Sequence, residues 1–394
     1  MSQDVDVAVV GAGPVGLLTA LGLAKAGASV TVIEAEPRIN DSPRAAVYFP
    51  TTLKILDRLG LLPDVLEVAF LSKSFCFHLL ATREVARILD TFPPGSPYPY
   101  NAHFGQHVLA QLVLKHFSAL PGADMRWSNR LVALAQDADG AVLAVETPNG
   151  RDEIRARWVV GTDGARSTVR GLLNLPFEGH TWPERFVATN VRYPFERFGY
   201  EPANMLADAV NWAVTARLGK EDLWRVTYAE DAELPEAGTG NRIAERYKVL
   251  LPDLTVPYEV VQYSPYRVHE RCAPTFRVGR ALLAGDAAHA CNPCGGMGLT
   301  SGVIDAAALG DALGAVVAGR APESVLDFYA TERRRVFLEV CSPVATDFKR
   351  RMSEKDPARQ RADFEEFRRD ANLPERKSLM TALSKLVEGQ PMPV

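Results

Sequence analysis

Residues 4–35 read DVDVAVVGAGPVGLLTALGLAKAGASVTVIEA, and this stretch decides the fold. Residues 4–10 form a short, mostly apolar run of the kind buried in a parallel sheet, residues 14–27 carry helical periodicity, and residues 29–35 form a β-branched run. Strand, helix and strand in so short a span make a right-handed βαβ unit. Between strand and helix stands Gly11-Ala-Gly13-Pro14-Val-Gly16, a GxGxxG spacing. Gly11 permits the tight turn, Gly13 lets the backbone approach a pyrophosphate, and Gly16 lets helix and sheet close. Glu34 ends the second strand, where a carboxylate can accept two ribose hydroxyls and would repel a 2'-phosphate. The stretch therefore implies a dinucleotide site that suits FAD or NAD and suits NADPH poorly.

Outward from this unit, residues 51–68 and 106–119 read as amphipathic helices, with strand-like alternation over 75–89 and a Pro/Gly loop over 92–100. Thr147-Pro-Asn-Gly150 is a turn between two strands, the second running into Gly161-Thr-Asp163-Gly164. From Phe186 to Tyr228 short aromatic-bearing strands replace the βαβ pattern, the signature of a mostly antiparallel sheet. A helix near 240–250, strands over 259–268 and 280–286, and helices over most of 301–345 follow. Residues 353–394 read as surface helices and a loose end. No repeat of fixed period is present.

Two further segments extend the pattern. One is Gly161-Thr-Asp163-Gly164-Ala-Arg166-Ser167-Thr-Val-Arg170; the other is Gly285-Asp286-Ala-Ala-His289 followed by Pro293-Cys-Gly-Gly-Met-Gly298. With the GxGxxG segment and Glu34, their order and spacing resemble the class A FAD-dependent aromatic hydroxylases, the group typified by 4-hydroxybenzoate hydroxylase. The resemblance covers about residues 5 to 335. It implies an α/β fold: a Rossmann-like FAD-binding domain (1–75, 101–178 and 266–350), a mostly antiparallel substrate-binding sheet domain (76–100 and 179–265), and C-terminal helices (351–394). Too few residues follow position 335 for the thioredoxin-like domain of the larger members. Thr300 and Ala308 stand where family members usually carry Asn.

By the same resemblance Asp286 holds the ribityl chain, Asp163 lies behind the nucleotide, Arg44 approaches the pyrophosphate and flavin, and Gln106 bonds near the ribityl phosphate. The loop Gly298-Leu299-Thr300 opens a helix whose N–H groups face the flavin, with the Thr300 hydroxyl expected as a cap. The implied reaction is NAD(P)H:oxygen monooxygenation, in which NADH or NADPH reduces the flavin, O2 forms a flavin hydroperoxide, and an electron-rich phenolic ring, single or polycyclic, takes one oxygen. Pro293 is expected to accept the phenol hydrogen bond through its carbonyl. Met205, Asn211, Trp212, Arg225 and Tyr228 on the sheet, with His103 opposite, are candidates for substrate contact or a proton relay. Arg225 also reads as a brace of the sheet, and His289 as a packed helix residue. No buried anion clamp stands out.

Composition sets the remaining bounds. Forty-four Lys+Arg against 48 Asp+Glu give a formal charge of -4, which offers no general field for nucleic acid or anionic membrane. The start lacks a basic leader, and the richest apolar stretch, Leu17 to Ala35, is broken by Lys25, Gly27 and Glu34, so a cytoplasmic monomer or homodimer without stable membrane association is expected. Cys76, Cys272, Cys291, Cys294 and Cys341 include one CxxC pair but lack the context of a zinc or redox site. No metal set or Ser-His-Asp arrangement is evident. The alternatives are an FAD reductase or dehydrogenase on the same scaffold, a non-catalytic flavin-binding protein, and a plain nicotinamide binder.

Overall fold

The computed structural model describes residues 4–89, 92, 95–371, 373 and 383–394; part of the loop expected at 92–100 and part of the tail expected at 351–394 lie outside them. The chain opens with β1 (Asp4–Val10), α1 (Pro14–Lys25) and β2 (Val30–Ile33), then β3 (Val47–Tyr48), α2 (Pro50–Arg58), α3 (Leu62–Val68), β4 (Phe70–Ser72), β5 (Phe75–Leu79) and β6 (Glu84–Ile88). β7 (Asn101–His103), α4 (Gln106–Ser118), β8 (Ala123–Arg126), β9 (Arg130–Gln136), β10 (Ala141–Thr147), β11 (Gly150–Gly161) and α5 (Thr168–Leu172) follow. Next come β12 (Glu178–Arg192), β13 (Ala203–Ala207), β14 (Ala213–Arg217), β15 (Leu223–Asp231), α6 (Thr239–Leu250) and β16 (Glu259–Cys272). The chain continues through β17 (Arg277–Val278), β18 (Ala281–Leu283), β19 (His289–Ala290), α7 (Met297–Val317), α8 (Ser324–Val336), α9 (Ser342–Met352) and α10 (Pro357–Asp370).

The first sheet runs β17-β18-β11-β1-β2-β8, with β10 and β9 added beside β11. β1 pairs in parallel with β2 and β11, and β11 in parallel with β18, so the opening βαβ unit lies at its centre. Val7, Val9, Val30 and Val32 are wholly buried, because helices cover both faces of such a sheet. α7 packs on α1, where Gly22 and Gly310 let the two backbones approach closely. With its preceding turn, α7 is long and apolar enough to cross a membrane, yet its apolar window is 78% buried inside the protein, as befits a core helix.

The second sheet runs β19-β16-β12-β15-β14-β13-β5-β6, antiparallel except where β13 meets β5. Strand alternation gives it two different faces. Trp224, Val226 and Tyr228 of β15 pack with Ile243 and Tyr247 of α6, while Phe77, Phe186, Met205 and Trp212 face the opposite way toward Phe364 and Phe367 of α10.

Several sequence expectations change here. The helix expected over 51–68 is two, α2 and α3. β16 continues the second sheet past the boundary expected at 265, and His289 sits on a strand rather than a helix. The tail helix α10 is no surface appendage: Phe364 and Phe367 are buried against Phe75 and Phe77.

Candidate active site

The turn after β1 is shaped by what a side chain would strike. Gly11 has φ +104°, and a Cβ on Gly16 would lie 2.0 Å from the Gly11 carbonyl oxygen and 2.5 Å from Thr162 Oγ1. α1 begins at Pro14 behind Gly13 without a side-chain cap. Its first N–H groups therefore open on a chamber of about 420 Å³ lined by Gly11, Gly13, Pro14, Glu34, Gln106 and Asp163. Glu34 is fixed by the N–H groups of Ala12 (2.7 Å) and Glu36 (2.9 Å), leaving acceptor capacity on both carboxylate oxygens. Asp163 is tied by Ser167 and by the N–H groups of Thr168 and Val169 at the start of α5. Burial raises its pKa, which those hydrogen bonds partly offset.

A larger chamber, about 750 Å³, lies between the first sheet and the second, lined among others by Arg44, Arg225, Asp286, Pro293, Gly298, Leu299 and Thr300. Gly13, Pro14, Gln106, Thr162 and Gly164 line both chambers, so the two are continuous past the start of α1. α7 begins behind Gly296, at φ +69° and without a side-chain cap, and its first turn lines the larger chamber. Thr300 does not cap this helix: its hydroxyl donates to the Gly296 carbonyl one turn back (2.8 Å).

Two uncapped helix starts at separate points of one continuous cavity fit an extended FAD, with pyrophosphate at one and the ring at the other. Gly11, Gly13, Pro14, Gly16, Glu34, Gln106 and Asp163 would hold the nucleotide; Arg44, Asp286, Gly298, Leu299 and Thr300 would hold the ribityl chain and ring. The Asp286 side chain is exposed to the chamber, where the surrounding protein raises its carboxyl and the charges of His289 and Arg44 pull it back.

Among the substrate candidates, Met205, Trp212, Arg225 and Pro293 line the chamber together with Phe75, Phe186 and Tyr266. Pro293 is exposed to it, and its carbonyl accepts the Gly296 N–H (3.1 Å) with a lone pair to spare. Arg225 is 5% exposed: its Nε donates to Asn190 Oδ1 (2.8 Å), but buried Nη1 has no partner. Burial lowers this guanidinium to about 10, and the charges acting on it come from Tyr266, Arg44 and Tyr48. Arg44 stacks 4.7 Å above the Tyr266 ring and donates to Ser264 Oγ (2.9 Å). The sequence offers no sign of this orphaned donor, which appears only once β12 and β15 are paired.

Three expected contacts lie elsewhere. Tyr228 points to the α6 face, the parity opposite to Arg225 and Thr227, and carries the Arg246 guanidinium over its ring. Asn211 accepts from Arg246 Nη1 (2.6 Å) and does not line the chamber. His103 is wholly buried beside Phe70, outside the lining, and burial lowers its pKa to about 4. The chamber has a different histidine, His269, bonded to Thr181 Oγ1 (2.9 Å). Burial first, then the charges of Arg271, Arg166, Arg267 and Arg170, lowers its pKa. All five cysteines are free, and burial pushes the Cys291 and Cys294 thiols well up, so they are inert.

Comparison with known proteins agrees with this geometry. The FAD binding domain family matches residues 4–342. The chain is 46% identical over 365 residues to para-nitrophenol 4-monooxygenase of Pseudomonas sp. (strain WBC-3), covering 92% of this chain and 91% of that protein. It is 41% identical over 368 residues to 6-hydroxy-3-succinoylpyridine 3-monooxygenase of Pseudomonas putida (strain DSM 28022 / S16), covering 92% and 93%. The crystal structure of p-nitrophenol 4-monooxygenase from Pseudomonas putida DLL-E4 superposes with TM-score 0.95 at 43% identity, covering 99% of this chain and 100% of that one. A ternary complex of aklavinone-11 hydroxylase with FAD and aklavinone superposes with TM-score 0.79 at 28% identity, over 90% of this chain and 70% of that one.

Proposed function

Because this chain belongs to the FAD binding domain family and is an FAD-dependent aromatic monooxygenase that uses NAD(P)H and O2, we propose that its substrate is a single-ring phenol bearing an electron-withdrawing or anionic substituent. The observation that carries this reading is the Arg225 guanidinium, bonded to Asn190 and to no acid, beside the part of the chamber walled by Phe75, Phe186, Met205, Trp212 and Tyr266. A desolvated guanidinium without an acid beside it costs free energy, and a ligand bringing negative oxygen there recovers that cost. The names of the two relatives reported above also point to single rings with polar substituents.

When bound, FAD supplies the redox chemistry, carrying electrons from NAD(P)H to dioxygen. The aromatic wall binds the ring and excludes water. The Arg225 guanidinium holds the substituent's oxygen, and the Pro293 carbonyl receives the phenol O–H. His269 lines the same chamber, where burial first and the neighbouring arginines next lower its pKa. The basic groups around His269 favour the approach of an anionic dinucleotide reductant.

The test is a set of single-ring phenols with and without anionic substituents, alongside polycyclic phenols, scored by stimulated NAD(P)H oxidation and by product mass. Substituted single-ring phenols should stimulate oxidation most and gain one oxygen atom. Equal or better turnover of polycyclic phenols would overturn the substrate proposal.

A further inference from the structure

We propose that residues 383–390 form a wall of the reaction chamber and that Arg333 is the positioning residue holding this wall in register with the flavin-facing segment. Leu383, Ser384, Lys385, Val387 and Glu388 line the larger chamber together with Leu299 and Thr300 at the start of α7 and Thr51 and Lys54 on α2. The sequence here reads as a loose end, but its backbone is gripped at several points.

Arg333 Nη1 donates to the carbonyls of Val387 and Glu388, both at 3.1 Å. The neighbouring Glu332 accepts the Gln390 N–H at 2.7 Å, and Lys54 pairs with Glu388 at 2.9 Å. Gly389 turns the chain at φ +72°, where a Cβ would lie 2.8 Å from both Glu332 and Val336. Val387 is 2% exposed, so the segment is docked by packing as well as by hydrogen bonds.

The other end of the same arginine explains why the docking concerns the flavin site. Arg333 Nε donates to Asp305 Oδ1 (2.7 Å) and Nη2 to Ser301 Oγ (3.2 Å), both on α7. Asp305 Oδ2 in turn accepts from the Gly285 N–H (3.1 Å) and lies 2.6 Å from His289 Nε2. Gly285 precedes Asp286, and His289 leads into the loop of Pro293. One wholly buried guanidinium thus joins the backbone of 387–388 to the carboxylate that orders the ribityl-chain segment. The function that follows is exclusion of water beside the ring, which decides whether reducing equivalents end in product or in hydrogen peroxide.

The inference rests on the monooxygenase reading, so its test carries one readout that needs no substrate. Gly389→Val, whose side chain cannot occupy the turn, and a deletion of residues 383–394 are compared with the parent holoenzyme. Bound FAD, iodide quenching of flavin fluorescence, and the fraction of NAD(P)H recovered as hydroxylated phenol are measured. FAD content should stay within about twofold, quenching should rise at least about twofold, and the product fraction should fall at least about threefold. Unchanged quenching and unchanged product fraction in both variants would overturn the proposal, as would loss of FAD in proportion to every other change. A parent that hydroxylates none of the phenols would sink the substrate reading instead, while quenching would still judge the wall.

Discussion

At the scale of single residues, the two groups most exposed to test are Asp286 and Arg225. The Asp286 carboxyl, exposed to the chamber, lies above its ordinary value before any cofactor acts on it, chiefly because the protein crowded around it limits its hydration. In the unfolded chain it ionises near 3.9, so the apoprotein loses stability as pH rises from there to the raised folded value and is level above it. Sugar hydroxyls donate to the ionised form, so FAD affinity of the apoprotein should climb with pH through that raised value and then flatten. Asp286→Asn should abolish this dependence, and Asp286→Ala should weaken FAD binding about tenfold or more, the loss of one charge-assisted hydrogen bond; titration of apoprotein with FAD at several pH values measures both. Arg225→Met should leave unfolding stability within about 1 kcal/mol, because removal of an uncompensated buried charge offsets the partner lost by Asn190. The same change should raise KM for an anionic phenol about tenfold and for unsubstituted phenol little, a contrast that steady-state kinetics and thermal melts report together. Gly11, Gly13, Gly16 and Glu34 were legible as a candidate nucleotide site because each occupies a fixed offset in a motif. Tyr228 was not, since face assignment along β15 depends on parity relative to a neighbouring strand, and one residue of shift sends the side chain to α6. His269 was missed for a related reason: its strand carries no motif, and only pairing with β12 brings it to the chamber.

At the scale of elements, the opening βαβ unit and α4 were readable because apolar period and length agreed locally. α10 was not, because its Arg- and Glu-rich composition gives no hint of what Phe364 and Phe367 meet. These rings pack on β5, on the sheet face that carries Phe186, Met205 and Trp212, and Phe75 of that strand lines the larger chamber, so the helix flanks the substrate wall on the chamber's own side of the sheet. Phe367→Ala should therefore do two things. It should cost about 3 kcal/mol of stability, the usual penalty for emptying a buried aromatic site, and it should raise KM for the substrate while leaving FAD affinity unchanged. Denaturant unfolding with the FAD titration separates these effects; a loss of FAD affinity equal to the loss of substrate affinity would place α10 in the cofactor site. α7 is the converse case. Its apolar composition resembles that of a membrane span, yet Asp305 inside it is paired with Arg333 and His289. Burial alone would raise this carboxyl, but those charges and hydrogen bonds hold it at about 2. Its contribution is thus present above the unfolded value near 3.9 and is lost as pH falls through about 2.

At the scale of the molecule, the cofactor cavity is assembled from segments far apart in sequence: the turn after β1, the end of β11, Asp286 after β18, and the start of α7. None of these forms the cavity alone, so FAD has no site in the unfolded chain and must stabilise the whole fold by mass action. At a free FAD concentration one hundred times Kd, the gain is about 2.7 kcal/mol. Unfolding entropy near about 2.1 cal/mol/K per residue, summed over this chain, gives roughly 0.8 kcal/mol/K, so Tm should rise by about 3 °C. NAD at the same concentration can occupy the nucleotide chamber but carries a single nicotinamide on a ribose where FAD carries a three-ring isoalloxazine on a ribityl chain, so it fills less of the larger chamber and its shift should be smaller. Asp286→Ala at the same FAD concentration should lose about half of the shift, since a tenfold weaker Kd leaves about 1.4 kcal/mol, while its apoprotein Tm does not fall below the parent's, because that carboxylate faces the cavity rather than the core. Thermal melts of the two apoproteins with FAD, NAD or neither give all six values. An NAD shift as large as that from FAD would mean that the second chamber contributes nothing to cofactor binding, and the role of α7 would have to be abandoned.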